Sequence, residues 1–146
     1  SRKGVRFKYS LEGIKMNNGH RHGEAVDWHA FTARRLVAGE FGVSEEELMA
    51  PTRARAEIAF TRQVAMYLAH VVYQLSYNEV AEAFDRERTT VAYACAVVED
   101  ARDDPSLDTR MEKLEVRLRH LDRLREGRRI HRCGRLASIL EDRKAG

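Results

Sequence analysis

A run of hydrogen-bonding side chains follows a short apolar segment near the middle of this 146-residue chain. Arg88 carries a planar guanidinium that matches the two acceptors on the edge of a guanine, and Glu87 could accept a hydrogen bond from a cytosine amine. Thr89 and Thr90 each offer a methyl group to thymine and a hydroxyl to phosphate. Such a set is typical of a surface that reads base edges in duplex DNA. Glu87 and Arg88 could instead neutralise each other or cap a helix, and that alternative stays open.

Two helices with a tight break between them must position these side chains. Ser76 and Glu79 have the spacing of a capping box, which predicts the start of the first helix. The pattern breaks at Asp85, which we expect to cap a second helix that begins near Arg86. Each helix has one apolar stripe at helical spacing, formed by Val80, Ala83 and Phe84 and then by Val91, Ala94, Cys95 and Val98.

The opposite face of the second helix is polar. A short helix, a sharp turn and a second helix with an exposed polar start make a helix-turn-helix, whose second helix enters the major groove of DNA. The polar face carries Arg86, Thr89, Thr90 and Tyr93, and these residues, together with Ser76 at the start of the first helix, are predicted to contact DNA.

The order of these features resembles a known family. The stretch from Thr61 to Leu68 (TRQVAMYL), the segment from Ser76 to Phe84 and the run RERTTV are similar to the C-terminal DNA-binding domain of the bacterial replication initiator DnaA. The family pattern there is an Arg-Gln before an apolar helix, Ser-x-x-Glu-Ile, Phe-Gly-Gly and then Arg-Asp-His-Thr-Thr-Val. The resemblance implies an all-α, compact helical domain of the TrpR/DnaA-like type that binds double-stranded DNA, without an ATPase domain.

The resemblance also assigns roles to single residues. Arg62 and Gln63 stand at the family's Arg-Gln, where a phosphate would meet two side chains and a positive helix end. Arg86, Glu87 and Arg88 stand at its arginine, aspartate and histidine. The histidine-to-arginine change should alter the preferred DNA sequence. This favours a transcription factor or a replication modulator over an initiator that binds the DnaA box.

The turn differs from the family in length. One glycine of the Phe-Gly-Gly pattern is missing, and Asp85 stands at the other glycine. The shorter turn should also shift the recognition helix and its preferred sequence.

A basic loop, PTRARAE, precedes the Arg-Gln pair. In the family, the loop at this place reaches the minor groove with an arginine, and Ala54 stands at that position here. Its neighbours Arg53 and Arg55 would take over the contact, either in the minor groove or with the DNA backbone. A solvated connection is the alternative for this loop.

Further helices should form the body around the helix-turn-helix. An amphipathic pattern predicts a helix over 25–41, ended by Gly42. Ser44 and Glu47 form another capping box, which opens a short helix. The segment 58–75 is apolar around most of its circumference, so we expect a central buried helix.

The C-terminal part should also be helical. Pro105 breaks the recognition helix, and apolar spacing predicts a helix from Leu107 to Leu124 that Gly127 ends. A short amphipathic helix is expected around residues 136–140. The apolar face of 107–124 could pack onto the domain or pair with a second copy, so a homodimer remains an alternative.

Charge divides the chain into three parts. Residues 1–24 have six Lys/Arg and two acids, residues 25–109 have eight and fifteen, and residues 110–146 have twelve and six, which sum to the formal net charge of +3. We therefore expect a flexible basic tail at 1–24, a domain at 25–125 and a basic extension at 126–146. The basic ends would attract DNA phosphates without regard to sequence.

Other function classes fit the sequence poorly. It has no Gly-rich phosphate loop, nucleophile elbow or metal-ligand constellation, so we expect no enzyme, cofactor or metal. No apolar run reaches 18 residues and the two cysteines form no C-x-x-C pair, so a cytoplasmic, nucleoid-associated protein is expected. The main alternative is a module of the same fold that binds a transcription or replication protein through its acidic surface.

Overall fold

A computed structural model of the chain describes residues 16–51 and 55–145, with side chains described for residues 22–51 and 55–131. These parts form helices and no strands, which confirms the all-α class. In chain order the helices are α1 (Met16–Phe41), α2 (Glu45–Met49), α3 (Ala56–Tyr73), α4 (Tyr77–Phe84), α5 (Arg88–Ala101) and α6 (Pro105–Ala145).

The first helix, α1, starts earlier than its apolar pattern predicted. It begins at Met16, so the expectation of a flexible tail up to residue 24 is wrong for 16–24, and residues 1–15 lie outside the described part. One contact with a distant residue lies in this added part, because His22 of α1 is 2.6 Å from the carboxylate of Glu79 in α4. The predicted end is confirmed, since Gly42 has φ +67° and Val43 N–H donates to Ala38 O at 3.0 Å.

The core surrounds α3. Val64, Ala65 and Leu68 are fully buried, and α1, α4, α5 and α6 all pack against this helix. The prediction of a central buried helix over 58–75 is therefore confirmed, with observed bounds at Ala56 and Tyr73. Helix α6 completes the core with Met111, Leu114 and Leu118.

Arg102 fixes the corner between α5 and α6. Its side chain donates to Asp108 at 2.6 Å, to Glu115, and to the Tyr67 hydroxyl at 3.1 Å. Burial disfavours the charged form, but these hydrogen bonds outweigh it and raise the pKa of Arg102. Pro105 then opens α6 at its first position, where the missing N–H costs nothing.

Helix α6 continues through Gly127 to Ala145. The predicted stop at Gly127 and the separate last helix are therefore wrong. A glycine inside a helix costs only about 1 kcal/mol relative to alanine, and the neighbouring Glu126, Arg128 and Arg129 are good helix formers.

No helix in the described ranges is both long and apolar enough to cross a membrane.

Cys95 should be unreactive in the folded protein. It is buried on α5, and burial, with a smaller contribution from the charge of Glu99, raises the pKa of its thiol to about 11. Because the thiolate is the reactive form, we expect no iodoacetamide labelling at pH 8 in a Cys133→Ser background. Labelling should appear when denaturant unfolds the chain. Rapid labelling of the native protein would contradict the buried position.

Gln74 ends α3 in the left-handed conformation, with φ 56° and ψ 29°. This region costs an L-residue about 1–2 kcal/mol, while glycine there is unstrained but has more entropy when unfolded. We therefore expect Gln74→Gly to raise the free energy of unfolding by about 0.5–1 kcal/mol, measured by urea denaturation. The matched change Gln74→Ala keeps the strain and should give no gain.

Candidate nucleic-acid interface

The first helix of the helix-turn-helix starts as predicted. Ser76 is the N-cap of α4: its hydroxyl accepts from Glu79 N–H at 3.1 Å, and its own N–H donates to the Glu79 carboxylate at 2.8 Å. Burial raises the pKa of Glu79, but these bonds and His22 outweigh burial and lower it overall. The Ser76 hydroxyl thus holds the helix start in place, and its predicted DNA contact would be made from this position.

The turn differs from the prediction in which residue caps which helix. Asp85 has φ 55° and ψ 49°, and it ends α4 instead of capping the next helix. Arg86 N–H closes the turn by donating to Ala81 O at 2.9 Å. Aspartate tolerates this left-handed conformation better than most residues. A glycine, which the DnaA pattern has at this place, adopts it without strain.

The recognition helix α5 begins at Arg88, two positions later than predicted. Glu87 is its N-cap by backbone geometry, with φ −75° and ψ 150°, and its side chain forms no capping hydrogen bond. The capping alternative for the Glu87 carboxylate is therefore not observed. Thr89 and Thr90 follow Arg88 in the first turn of the helix.

The first turn of α5 presents an exposed polar surface. Arg88, Thr89, Thr90 and Tyr93 are all exposed, and the Tyr93 side chain is 66% accessible. The other face of the helix is buried in the core through Val91, Ala94, Cys95 and Val98. The predicted division of this helix into a buried and an exposed face is confirmed.

An aromatic residue supports the first turn. The guanidinium carbon of Arg88 lies 5.7 Å from the centroid of the Tyr77 ring. The centroid of the His70 ring lies 4.5 Å from that of Tyr77. His70 in turn lies 2.7 Å from Leu75 O. Tyr77 was not among the residues predicted to form this surface. Its position directly after the capping serine was the available signal, but its contact with a residue of the next helix was not readable from spacing.

Arg34 of α1 contacts the end of α4, next to the turn between α4 and α5. It donates to Ala83 O at 3.1 Å and lies 5.5 Å from the Phe84 ring centroid. Burial lowers the pKa of Arg34, while the charges of Glu45 and Asp27 act in the opposite direction. The helix-turn-helix is thereby tied to α1 near its turn.

Arg62 has hydrogen-bond partners within the protein in addition to its predicted contact with phosphate. Its Nε donates to Leu48 O at 2.5 Å, and its Nη2 lies 3.4 Å from both Glu47 O and Ala50 O. The last carbonyls of a helix lack partners within the helix, so a guanidinium at the end of α2 satisfies them. Arg62 therefore has a structural role in addition to any contact with DNA.

A second guanidinium meets Arg62 at the same carbonyl. Arg86 donates from Nη2 to Ala50 O at 2.7 Å. Burial lowers the pKa of Arg62, and the positive charge of Arg86 lowers it further. Two like charges held together in this way favour a nearby anion, and a DNA phosphate has the required charge and acceptor oxygens.

The other residues predicted to contact DNA lie at or near the start of α3. Arg55 precedes α3 as its N-cap residue without a side-chain cap and is exposed. Gln63 follows Arg62 on α3 and is partly exposed. Arg53 lies outside the described residues.

The acidic residues of α5 lie at the end away from its polar first turn. Helix α5 has 14 residues, which corresponds to about 21 Å of length. Its acids, Glu99 and Asp100, lie in the last turn, and Asp103 and Asp104 follow the helix. The second acidic group, Glu45 to Glu47, lies in the first turn of α2. The α5 acids therefore lie at the opposite end of the helix from Arg88.

Comparison with known proteins identifies the same segment. A family model described as the bacterial DnaA protein helix-turn-helix matches residues 33–98. The chromosomal replication initiator protein DnaA of Bartonella quintana is 36% identical over 110 residues, covering 73% of this chain and 22% of the relative. That of Mycobacteroides abscessus is 39% identical over 88 residues, covering 60% and 18%. The chain thus spans about a fifth of the length of these relatives.

Solved structures agree on the fold. The crystal structure of a DNA replication initiation factor superposes with a TM-score of 0.65 at 25% identity, covering 81% of this chain and 37% of that chain. A replication initiator DnaA bound to AMPPCP and single-stranded DNA gives a TM-score of 0.63 at 24% identity, covering 81% and 35%. Residues 33–98 of this chain, which contain the helix-turn-helix, are therefore a domain of the bacterial DnaA helix-turn-helix type.

Proposed function

We propose that this chain binds double-stranded DNA in a sequence-specific manner, with the first turn of α5 in the major groove. The observation that carries the proposal is the exposed polar start of α5, held on a turn that packs into the core. Arg88 has the geometry for a bidentate contact with guanine, and Glu87 can accept from cytosine. Thr89 and Thr90 add contacts to thymine or phosphate.

The DNA backbone would be bound on either side of this reading surface. Arg62 and Arg86 converge on Ala50 O, and a phosphate beside them would receive charge-assisted hydrogen bonds. Gln63 adds a donor near the start of α3. Arg53 and Arg55 in the basic loop would contact the minor groove or the backbone.

The biological role follows from the differences at the reading surface. Arg88 replaces the histidine of the DnaA pattern, and the turn is one residue shorter. The preferred site should therefore differ from the DnaA box. We propose a transcription factor or a modulator of replication, and a replication protein that binds the DnaA box itself is the alternative.

A protein-interaction module is the second candidate. The observation that favours it is the charge of residues 25–109, where eight basic residues face fifteen acids. Such a surface would repel DNA at long range unless the acids lie away from it. In that case the chain would bind a transcription or replication protein.

Selection of bound sequences from a random duplex pool tests both candidates. The DNA-binding proposal predicts enrichment of one short motif, followed by a gel shift whose affinity falls as salt rises. The protein-interaction candidate predicts no enrichment and no shift at low or high salt. A shift without enrichment would leave DNA binding in place and contradict sequence specificity.

A further inference from the structure

The C-terminal half of α6 is strongly basic and extends past the core. Helix α6 has 41 residues, about 62 Å of length, whereas Leu118 is its last fully buried residue among the side chains described up to residue 131. Residues 117–129 contain six arginines and two acids. The proposed reading surface on α5 does not use this segment.

Contacts place the start of this basic segment beside the turn between α3 and α4. Tyr73, the last residue of α3, donates from its hydroxyl to Leu118 O at 3.0 Å. His29 stacks on the Tyr73 ring at 4.0 Å and lies 2.8 Å from the Asp122 carboxylate. Tyr73 is three residues before Ser76, the cap of α4. The basic segment therefore begins close to the start of the helix-turn-helix.

Helix α1 connects the next part of α6 to the same place. It runs antiparallel to α6, since Arg110 pairs with Glu40 while Arg125 lies over the Trp28 ring at 4.9 Å. His22, six residues before Trp28 and about 9 Å along the helix, contacts Glu79 of α4. The turns of α6 after Arg125 thus lie toward the end of α1 that contacts the start of α4.

This position continues the proposed DNA-binding surface. Tyr77 at the start of α4 supports Arg88 at the start of α5. One side of the interface therefore runs from Arg88 through the start of α4 toward α1 and the basic part of α6. The Arg62–Arg86 pair lies elsewhere, at the end of α2.

Two arginines of the segment have their charges available. Arg123 and Arg128 are exposed, and neither forms an ion pair with another residue whose side chain is described. The other arginines have partners: Arg117 pairs with Glu40, Arg119 with Glu115 and Arg129 with Glu126, while Arg125 stacks on Trp28.

We propose that α6 binds the DNA backbone beside the site read by α5, through Arg123 and Arg128. The proposal rests on the proposed function, because it requires the duplex that α5 reads. Residues 117–131 cover about 22 Å, which equals about six base pairs at 3.4 Å per step. The contact would extend the footprint at one end of the site and would carry no sequence information.

Duplexes of different lengths test this contact with the full chain. The selected motif is placed in a short duplex and in duplexes extended by ten base pairs at one end or the other. For the wild type, one of the two extensions should raise affinity and steepen the salt dependence. Two phosphate contacts should add about 1.8 to the log–log slope, at about 0.9 per contact.

The variant Arg123→Gln/Arg128→Gln should lose this gain and bind the short duplex like the wild type. Glutamine is a good helix former, and circular dichroism checks that α6 persists. Lys113→Gln removes one exposed charge near the other end of α6. It is the control for the single variants Arg123→Gln and Arg128→Gln. It should retain the gain.

The outcomes separate the two proposals. If the wild type binds the short duplex but gains nothing from either extension, α6 does not contact DNA while the proposed function stands. The same holds if the double variant keeps the whole gain. If the wild type binds no duplex, both the proposed function and this inference are overturned.

Discussion

Replacing Arg62 with alanine is expected to lower both the free energy of unfolding and the affinity for DNA. Its hydrogen bonds to Leu48, Glu47 and Ala50 carbonyls close the end of α2. Their loss should cost about 1–2 kcal/mol of stability, because the carbonyls are near enough to the surface for water to replace part of the bonding. Loss of the charged phosphate contact should cost about another 1–3 kcal/mol in binding, for every DNA sequence alike.

Urea denaturation and gel shifts separate the two effects. Arg62→Lys keeps the charge but not the planar fork, so it should retain more affinity than Arg62→Ala while losing a similar part of the stability. Arg86→Ala removes the second guanidinium at Ala50 O and one hydrogen bond. It should lower affinity with a smaller loss of stability. Unchanged stability in Arg62→Ala would show that the carbonyl contacts contribute nothing.

The variant Arg88→Ala should relax sequence preference at one base pair and leave the rest of the site intact. A bidentate arginine–guanine contact discriminates against a wrong base by about 1–3 kcal/mol. Removing it should therefore reduce that discrimination by about 5- to 150-fold, since 1.4 kcal/mol is a factor of ten. Binding-site selection on the wild type and the variant measures the change.

The Tyr77 ring provides a control for the position of Arg88. Tyr77→Phe keeps the ring under the guanidinium and should keep the selected motif. Tyr77→Leu removes the ring and should weaken preference at the same base pair as Arg88→Ala, to a smaller extent. An affinity loss that is uniform across sequences in Arg88→Ala would show a phosphate contact instead.

Restoring the two residues of the DnaA pattern at positions 87 and 88 gives a variant whose selected motif can be compared with that of the wild type. Arg88→His together with Glu87→Asp should move the selected motif toward the DnaA box. The shift should be partial, because the turn remains one residue shorter and Asp85 keeps its left-handed conformation. An identical motif in the wild type, this variant and Arg88→Ala would leave specificity to other residues.

Local sequence determined the features that depend on neighbouring residues. Both capping boxes, at Ser44 with Glu47 and at Ser76 with Glu79, form as expected. Each needs only side chains and amides three residues apart, so the pattern alone specifies it. The same holds for the end of α1 at Gly42, where a positive φ favours glycine. The buried stripe of α5 follows from helical periodicity for the same reason. In α4, Val80 and Phe84 are buried as predicted, but Ala81 is buried in place of Ala83, which is only partly buried.

Tertiary structure decided the features that join distant residues. The start of α1 at Met16 goes with the contact of His22 to Glu79, 57 residues away. Arg62 became a structural residue because α3 brings it to the end of α2, which spacing could not show. Asp85 and Glu87 both resemble caps in sequence, and the path of the chain between α4 and α5 decided which helix each one serves.

The candidate DNA-binding residues divide in the same way. Their chemical types were readable from the sequence, because arginine, glutamate and threonine have fixed donors and acceptors. Their availability was not, since it depends on which carbonyls, rings and carboxylates the fold places beside them. Arg62 and Arg86 converge on one carbonyl, Arg88 rests on Tyr77, and Arg123 forms no ion pair within the described side chains. The carbonyls and rings beside these arginines belong to other helices. Which of them lie beside a given arginine is therefore decided by how the helices pack.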